Sequence, residues 1–248
     1  MIIIKSNEEI ELMRQAAIPT KEMLANLADI IKLGMSTKDV DDYVEEYILK
    51  SGMKPAFKGY GGYPACACVS VNEEVVHGIP SRKRILHEGD IVSVDLGTIY
   101  KGFYSDAART YPVGKISTEH ANLIEAARAS FEAGIFYARK GNRLGDISHA
   151  VQECAESRGF SVIRDYVGHG VGRNMHEDPM VPNYGRANHG PQLVPGMVLA
   201  IEPMIATGTY EVQVLKDGWT AVTKDKGYAA HYENTIVITD GDPILLTR

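Results

Sequence analysis

The start of the chain carries two stretches in which apolar residues recur at helical spacing. Each begins with a helix-capping pattern, formed by Ser6 and Glu9 in the first stretch and by Ser36 and Asp39 in the second. The spacing predicts two helices that each bury one face. Pro19 lies inside the first, where its missing N–H should kink or break the helix.

Alternating apolar and polar residues follow. They flank a Tyr-Lys-Gly turn in IVSVDLGTIYKGFYSDAART, residues 91–110, and predict a β-hairpin, with another strand near CACVSVN. Each hairpin strand contains one aspartate, Asp95 or Asp106. Aspartate is depleted in strands and is rarely buried without a partner. Two aspartates on paired strands should therefore face water or be held by opposite charge.

The same order of elements returns in the second half. Helical spacing covers about 118–139 and 144–157, and strand patterns follow near FSVIRDYV, GMVLAIEPMI, YEVQVL and AAHYENTIVIT. Two rounds of helices before strands predict an α+β fold with helices on the outer face of a curved antiparallel sheet. We expect a single domain over residues 1–248, with halves of about 1–115 and 116–248.

Composition narrows the class of protein. The net charge of -6, with scattered Lys and Arg, disfavours nucleic-acid or anionic-membrane partners. No run approaches the ~18 apolar residues of a membrane span. Three cysteines, Cys66, Cys68 and Cys154, are too few for a disulfide framework and indicate the cytoplasm. Cys66 and Cys68 form a C-x-C pattern, which we expect to serve packing or a pocket rather than a metal.

Polar residues recur in the late strands. Glu202 sits in the centre of the apolar strand predicted at GMVLAIEPM, and Glu233 shares a strand face with His231. In YVGHGVGRNMHEDP a strand should end at Val167 and a glycine-bearing loop should present His169 and His176; VVHGIP adds His77. Singly, such residues are usually solvated or salt-bridged. Here few Lys or Arg share these strands, since Arg109 and Lys216 lie toward strand ends.

Four inward carboxylates would need a cation. At ~5 Å each pair repels by ~3 kcal/mol at an effective dielectric constant of about 20. Two divalent ions, a bridging hydroxide and a neutral His169 would bring the site close to neutral, whereas one ion would not. Oxygen and imidazole ligands suit Mn, Fe, Co or Zn. The glycine-rich stretch GHGVG could be mistaken for a phosphate-binding loop. The Lys-Ser or Lys-Thr that such a loop needs does not follow it.

Several motifs together resemble those of type I methionine aminopeptidases. They are VNEEVVHGIP, IVSVDLG with GFYSDAA, YVGHGVG, MHEDP, AIEPM and YENTIVIT, and the resemblance runs from about Ile4 to the C-terminus. It implies the pita-bread fold and metal-dependent removal of the N-terminal methionine, by attack of a dinuclear metal-bridged hydroxide on the first peptide bond. The short separation of Glu202 and Glu233 leaves no space for the helical insertion of type II enzymes.

The resemblance also implies residue roles. Asp95 would be the bidentate ligand of one metal, Asp106 and Glu233 would bridge both, and His169 and Glu202 would complete the other. His77 and His176 would contact the substrate, with Glu202 as proton shuttle. The methionine pocket would be formed by Phe57, Tyr60, Tyr63, Cys68, Met175 and Trp219. Phe57, Met175 and Asn234 depart from the residues common in relatives, which bears on pocket shape and metal tuning.

The expected partners are nascent polypeptide N-termini at the ribosome, bound by a cytoplasmic monomer. Two alternatives stay open at this point. A proline-specific peptidase shares the metal ligands but usually carries an additional N-terminal domain. A non-catalytic binding module on the same fold would be expected to have lost those ligands.

Overall fold

A computed structural model describes residues 1–248. The helices are α1 (Asn7–Ile30), α2 (Thr37–Lys50), α3 (Thr118–Phe136) and α4 (Leu144–Glu156), with a 3₁₀ turn at Tyr60–Gly62. The strands of the first half are β1 (Lys54–Pro55), β2 (Ala67–Val71), β3 (Glu74–Val76), β4 (Ile91–Tyr100) and β5 (Phe103–Pro112). The second half has β6 (Ser161–Val162), β7 (Gly168–Gly170), β8 (Glu177–Val181), β9 (Val198–Ile201), β10 (Met204–Ala206), β11 (Val212–Val214), β12 (Ala221–Thr223), β13 (Ala229–His231), β14 (Asn234–Val237) and β15 (Ile244–Leu245). The predicted α+β class and its repeated order of helices before strands are confirmed.

Both predicted capping boxes form at the helix starts. The Ser6 hydroxyl accepts a hydrogen bond from the Glu9 N–H, and Ser36 and Asp39 make the equivalent bond. However, α1 continues through Pro19, so the expected break does not occur. Sheet side chains support the turn before the proline.

Two buried hydroxyls provide that support. Thr98 Oγ1 and Ser105 Oγ donate to the Ala16 carbonyl oxygen at 2.5 and 3.2 Å. Packing against β4 and β5 thereby fixes a helical turn that proline alone would weaken.

The predicted hairpin is present and sets both aspartates on one face. Lys101 and Gly102 have φ values of 48° and 84°, as a type I′ turn requires. Asp95 lies opposite Ala108, and Asp106 lies opposite Gly97. The two aspartates are thus diagonal neighbours whose side chains leave the same side of the sheet.

The strands of the second half change sheet at two matching points. β9 pairs with β14 in one sheet, and β10 pairs with β13 in another. The chain crosses between these sheets at Glu202–Pro203 and again at Tyr232–Glu233. Glu202 therefore lies at a strand break, and its predicted position in the centre of a strand is wrong. Pro203 has no N–H with which to continue the ladder.

The helices cover the outer faces of the sheets, and each half has its own apolar cluster. In the first, Leu27 of α1 and Val44 of α2 pack with Val94 of β4; in the second, Phe131 and Ile147 pack under β9 and β14. A further cluster joins α1 to strands of the second half. None of the helices has the length and apolar character needed to cross a membrane.

A seam of direct hydrogen bonds joins β5 to the segment around β13 and β14. The Glu233 N–H donates to the Ala108 carbonyl oxygen at 3.0 Å. The Thr235 hydroxyl donates to the Asp106 carbonyl oxygen at 2.7 Å. Thr110 Oγ1 accepts from the His231 N–H and donates to its C=O, both at 2.9 Å. This seam places strands of the two halves, with their carboxylates, side by side.

We expect Thr110→Val to lower the free energy of unfolding by about 2–4 kcal/mol, because the buried N–H and C=O of His231 lose their partner. Urea denaturation measures the change. Thr118→Val, at an exposed position in the first turn of α3, is the matched control and should stay within about 0.5 kcal/mol of the parent. Equal stability of the two variants would contradict a structural role for the seam.

Candidate metal centre

One cavity of about 180 Å³ lies where the two halves meet. Every site residue predicted from the sequence lines it, namely Phe57, Tyr60, Tyr63, Cys68, His77, Asp95, Asp106, His169, Met175, His176, Glu202, Trp219 and Glu233. Val76, Tyr166 and Val167 also line it and were not predicted. The cavity therefore combines four carboxylates, three imidazoles and an apolar wall.

The four carboxylates are withdrawn from water. Glu233 and Asp106 are 1% and 4% exposed, while Glu202 and Asp95 are partly open to the cavity. Burial raises the pKa of Asp95 to about 7. Burial, reinforced by the neighbouring carboxylate charges, raises the pKa values of Asp106, Glu202 and Glu233 well above the ordinary range. In their ionised form, these groups need positive charge nearby.

No lysine or arginine supplies that charge. The only ion-pair partners within 4.0 Å of these carboxylates are His169 and His231. Arg109 lies close by, but its guanidinium donates to the Ala108 and Glu233 carbonyl oxygens and to the Asn234 side chain. The protein's own cations therefore leave the cluster uncompensated.

His169 presents an unprotonated nitrogen to the acids. Its Nδ1 lies 2.9 Å from the Gly170 carbonyl oxygen, to which only an N–H can bond. Burial also lowers the pKa of this imidazole to about 3, so the ring is neutral and Nε2 carries a lone pair. Nε2 lies 3.6 Å from Asp106 and 3.5 Å from Glu202. Such an arrangement of lone pairs is repulsive unless a cation lies among them.

His169 lies within β7, and its predicted place in a glycine-bearing loop is wrong. It is paired with Met180 of β8 and Ala200 of β9. The flanking glycines permit this pairing: a Cβ at Gly168 or Gly170 would lie 2.3 Å from a carbonyl oxygen of a neighbouring strand. Close strand packing therefore accounts for the glycines.

Buried polar atoms without hydrogen-bond partners cluster at the cavity. They include Asp95 Oδ1, Asp106 Oδ1, Glu233 Oε1 and His231 Nε2. Two sets of side chains bring ligand atoms within 4.8 Å of one another, Asp95 with His231 and Glu233, and Asp106 with His169 and Glu233. Buried polar atoms are rarely left unpaired. Oxygen and imidazole donors in this arrangement fit divalent cations.

The remaining two histidines stand beside the carboxylates. His77 follows β3 with a φ of 59°, a conformation that non-glycine residues seldom adopt, and burial lowers its pKa to about 4. Its ring meets the edge of Tyr166, with ring centroids 5.3 Å apart. His176 lies exposed at the mouth, and its ring centroid is 4.1 Å from that of His169. Both imidazoles line the same cavity as the carboxylates.

An apolar wall adjoins the acids. Phe57, Tyr63, Cys68 and Met175 form one buried cluster, against which Trp219 packs. Cys68 lies directly opposite Asp95 on the neighbouring strand. Cys66, two residues earlier, belongs to the core of the first half. The wall thus offers aromatic and sulfur contacts to a side chain beside the carboxylates.

Two further contacts support the site, and the first of them was not predicted from the sequence. Lys5 and Glu177, both with side chains 3% exposed, form a 2.5 Å ion pair that ties the N-terminal segment to the residue after His176. His231 Nε2 lies 3.4 Å from Glu233 and 3.7 Å from Glu202. Glu177 belongs to the MHEDP motif, but nothing in the local sequence pattern connects Glu177 to Lys5.

The whole chain is similar to known metallopeptidases. Residues 11–240 match the model of metallopeptidase family M24. The chain is 56% identical to the methionine aminopeptidase of Clostridium acetobutylicum, over 100% of this chain and 99% of that one. The crystal structure of methionine aminopeptidase from Thermotoga maritima covers 100% of both chains with 50% identity and a TM-score of 0.98.

A more distant likeness defines the common fold. Prolidase from Pyrococcus furiosus has a TM-score of 0.79 and 26% identity, and 99% of this chain covers 65% of that one. Together these likenesses confirm the predicted pita-bread fold.

We expect the stability of the cation-free protein to fall as pH rises from about 6.5 through the Asp95 pKa of about 7. The folded-state pKa values of the four carboxylates exceed their unfolded ones, so stability is lost as they ionise. The buried histidines, whose pKa values are lowered, act in the opposite direction only below about pH 6.5. Chemical denaturation after chelation, repeated at each pH, measures the slope.

The control is the double variant Asp106→Asn, Glu233→Gln, which should have a smaller slope because only two of the four carboxylates remain. Saturating divalent metal should abolish or reverse it, because metal binds the ionised carboxylates. An equal slope in the parent and the double variant would show that ionisation of these carboxylates is not its cause.

Proposed function

The chain belongs to metallopeptidase family M24, and on this premise we propose that it is a type I methionine aminopeptidase. Such a hydrolase removes the N-terminal methionine from peptides in a metal-dependent reaction. One observation carries the proposal: unpartnered oxygens of buried carboxylates adjoin a wall of aromatic and sulfur-containing side chains. A metallopeptidase that selects methionine needs both features in contact.

We propose that two divalent cations, from Mn, Fe, Co or Zn, bind the carboxylates. Asp95 would hold one, Asp106 and Glu233 would be shared, and His169 and Glu202 would hold the other. Support comes from the two overlapping ligand sets, which share Glu233. When bound, the cations supply Lewis-acid chemistry, lowering the pKa of water and polarising the peptide carbonyl.

The wall would bind the substrate's first side chain. Phe57, Tyr60, Tyr63, Cys68, Met175 and Trp219 present rings and sulfur atoms, with which a thioether makes favourable contacts. Asp95 lies opposite Cys68, so negative charge adjoins this wall. A terminal ammonium group would be attracted there, and this attraction would explain removal of the first residue only.

His77 and His176 would donate hydrogen bonds to the reacting carbonyl, and Glu202 would transfer the proton. Burial keeps His77 neutral at pH 7, so a ring N–H can donate to the carbonyl oxygen as negative charge develops on it. His176 would donate from the mouth of the cavity. Glu202, open to the cavity, would take a proton from the attacking water and deliver it to the leaving amine.

The biological setting is also a proposal. We propose that residues 1–248 act as a single catalytic domain and as a monomer. The substrates would be nascent polypeptide N-termini at the ribosome in the cytoplasm. Support for the substrate class comes from the resemblance of the motifs and from the names of the relatives.

Three variants separate metal binding from chemistry. His77→Ala and His176→Ala should retain bound metal but lower turnover of a Met-Ala-Ser peptide by roughly 10²-fold or more. Asp106→Asn should lose metal, because a shared ligand is removed. Metal content by mass spectrometry and peptide turnover are measured on the same samples. Unimpaired turnover by either histidine variant would remove its assigned role.

Substrate choice tests the reaction class. Metal-free protein is titrated anaerobically under reducing conditions with Mn, Fe, Co and Zn, and each sample is assayed on Met-Ala-Ser and on an X-Pro peptide. We expect cleavage of Met-Ala-Ser alone. Preference for X-Pro would assign a proline-specific peptidase, and metal binding without cleavage of either peptide would favour a non-catalytic binding module.

A further inference from the structure

Tyr60 makes a contact that a pocket wall does not require. Its hydroxyl oxygen lies 2.8 Å from Nδ1 of His176, and the two ring centroids are 5.3 Å apart. The tyrosine is 40% exposed, so its hydroxyl could have been hydrated instead. No other protein contact of the hydroxyl competes with this hydrogen bond.

The turn that carries Tyr60 is fixed by its own backbone. Gly59 and Gly62 have φ values of 89° and 91°, which side chains disfavour. The Tyr60 N–H donates to the Phe57 carbonyl oxygen, and the Tyr63 N–H donates to the Tyr60 carbonyl oxygen, both at 2.9 Å. These bonds close a tight turn that holds the phenol above the cavity.

Two aromatic side chains anchor this turn from below. The Tyr63 hydroxyl donates to the Gly78 carbonyl oxygen at 2.9 Å, and its ring meets Trp219 edge-on. Gly61 lies beside the Trp219 indole, where an added Cβ would be in ordinary van der Waals contact with the ring at 3.4 Å. The position of the Tyr60 hydroxyl is thus set by the fold.

The hydrogen bond determines which nitrogen of His176 carries the proton. A phenol is a better donor than acceptor, and an unprotonated imidazole nitrogen is a strong acceptor, so the 2.8 Å contact favours donation from the Tyr60 hydroxyl to Nδ1. In a neutral ring with Nδ1 as acceptor, Nε2 must bear the hydrogen. Nε2 has no protein partner and is free for a ligand.

We propose that Tyr60 is a positioning residue that holds His176 in the Nε2–H tautomer, ready to donate to the substrate carbonyl oxygen. The inference rests on the proposed function for its consequence in turnover, but the tautomer itself can be measured without substrate. It assigns Tyr60 a role beyond contact with the methionine side chain.

Tyr60→Phe tests this directly, because it keeps the ring and removes only the hydroxyl. We expect kcat on Met-Ala-Ser to fall about tenfold, the value of one hydrogen bond, with KM unchanged. In the His176→Ala background, the same substitution should have no further effect. Tyr210→Phe, at an exposed tyrosine outside the cavity, is the matched control and should retain parental kinetics.

The second measurement is ¹⁵N NMR of imidazole-labelled, zinc-loaded protein, with His176 assigned by comparison with His176→Ala. We expect the Nε2–H tautomer in the parent and a mixture in Tyr60→Phe. The inference would be overturned if Tyr60→Phe left the His176 tautomer unchanged. It would also be overturned if Tyr60→Phe had the same kcat as a parent that cleaves Met-Ala-Ser. A parent that cleaves no methionine peptide would contradict the proposed function, while the NMR result would still decide the tautomer.

Discussion

Mutual repulsion among four buried carboxylates is the constraint around which this structure is organised. Asp95 and Asp106 leave one face of a hairpin, and Glu202 and Glu233 occupy matching breaks in the second half. The only side chains that could pair with them as cations are two histidines, His169 and His231. Burial lowers the pKa values of both histidines and keeps them neutral. Hydrogen bonds of backbone groups and threonine hydroxyls at the seam bring the acids together, and divalent cations would then offset the repulsion among them.

The secondary structure that holds each site residue matches the role proposed for that residue. Asp95, Asp106 and His169 lie within paired strands, which hold ligand atoms in fixed positions. His77 and His176 lie outside strands at the rim of the cavity. The tight turn bearing Tyr60 and the buried Lys5–Glu177 pair restrain this rim.

Local pattern was enough to predict much of the site. Alternation predicts the hairpin, and the four isolated acids predict a metal centre: Asp95, Asp106, Glu202 and Glu233. Long-range packing was not visible in the same way. The glycines beside His169 indicated a loop because their close approach to β8 and β9 depends on distant residues. The strand break at Glu202 could have been predicted, since Pro203 is plain in the sequence. The Tyr60–His176 bond could not, because nothing in either segment specifies the other.

Anomalous diffraction from crystals grown with Zn²⁺ is the decisive test of whether cations hold the four carboxylates together. Data collected on either side of the zinc absorption edge locate zinc independently of any assumption about ligands. We expect two peaks among the four carboxylates, each about 2.0–2.2 Å from carboxylate oxygens contributed by both halves of the chain. A protein that cleaves Met-Ala-Ser with zinc present, yet shows no peak between these carboxylates, would contradict this organisation of the site.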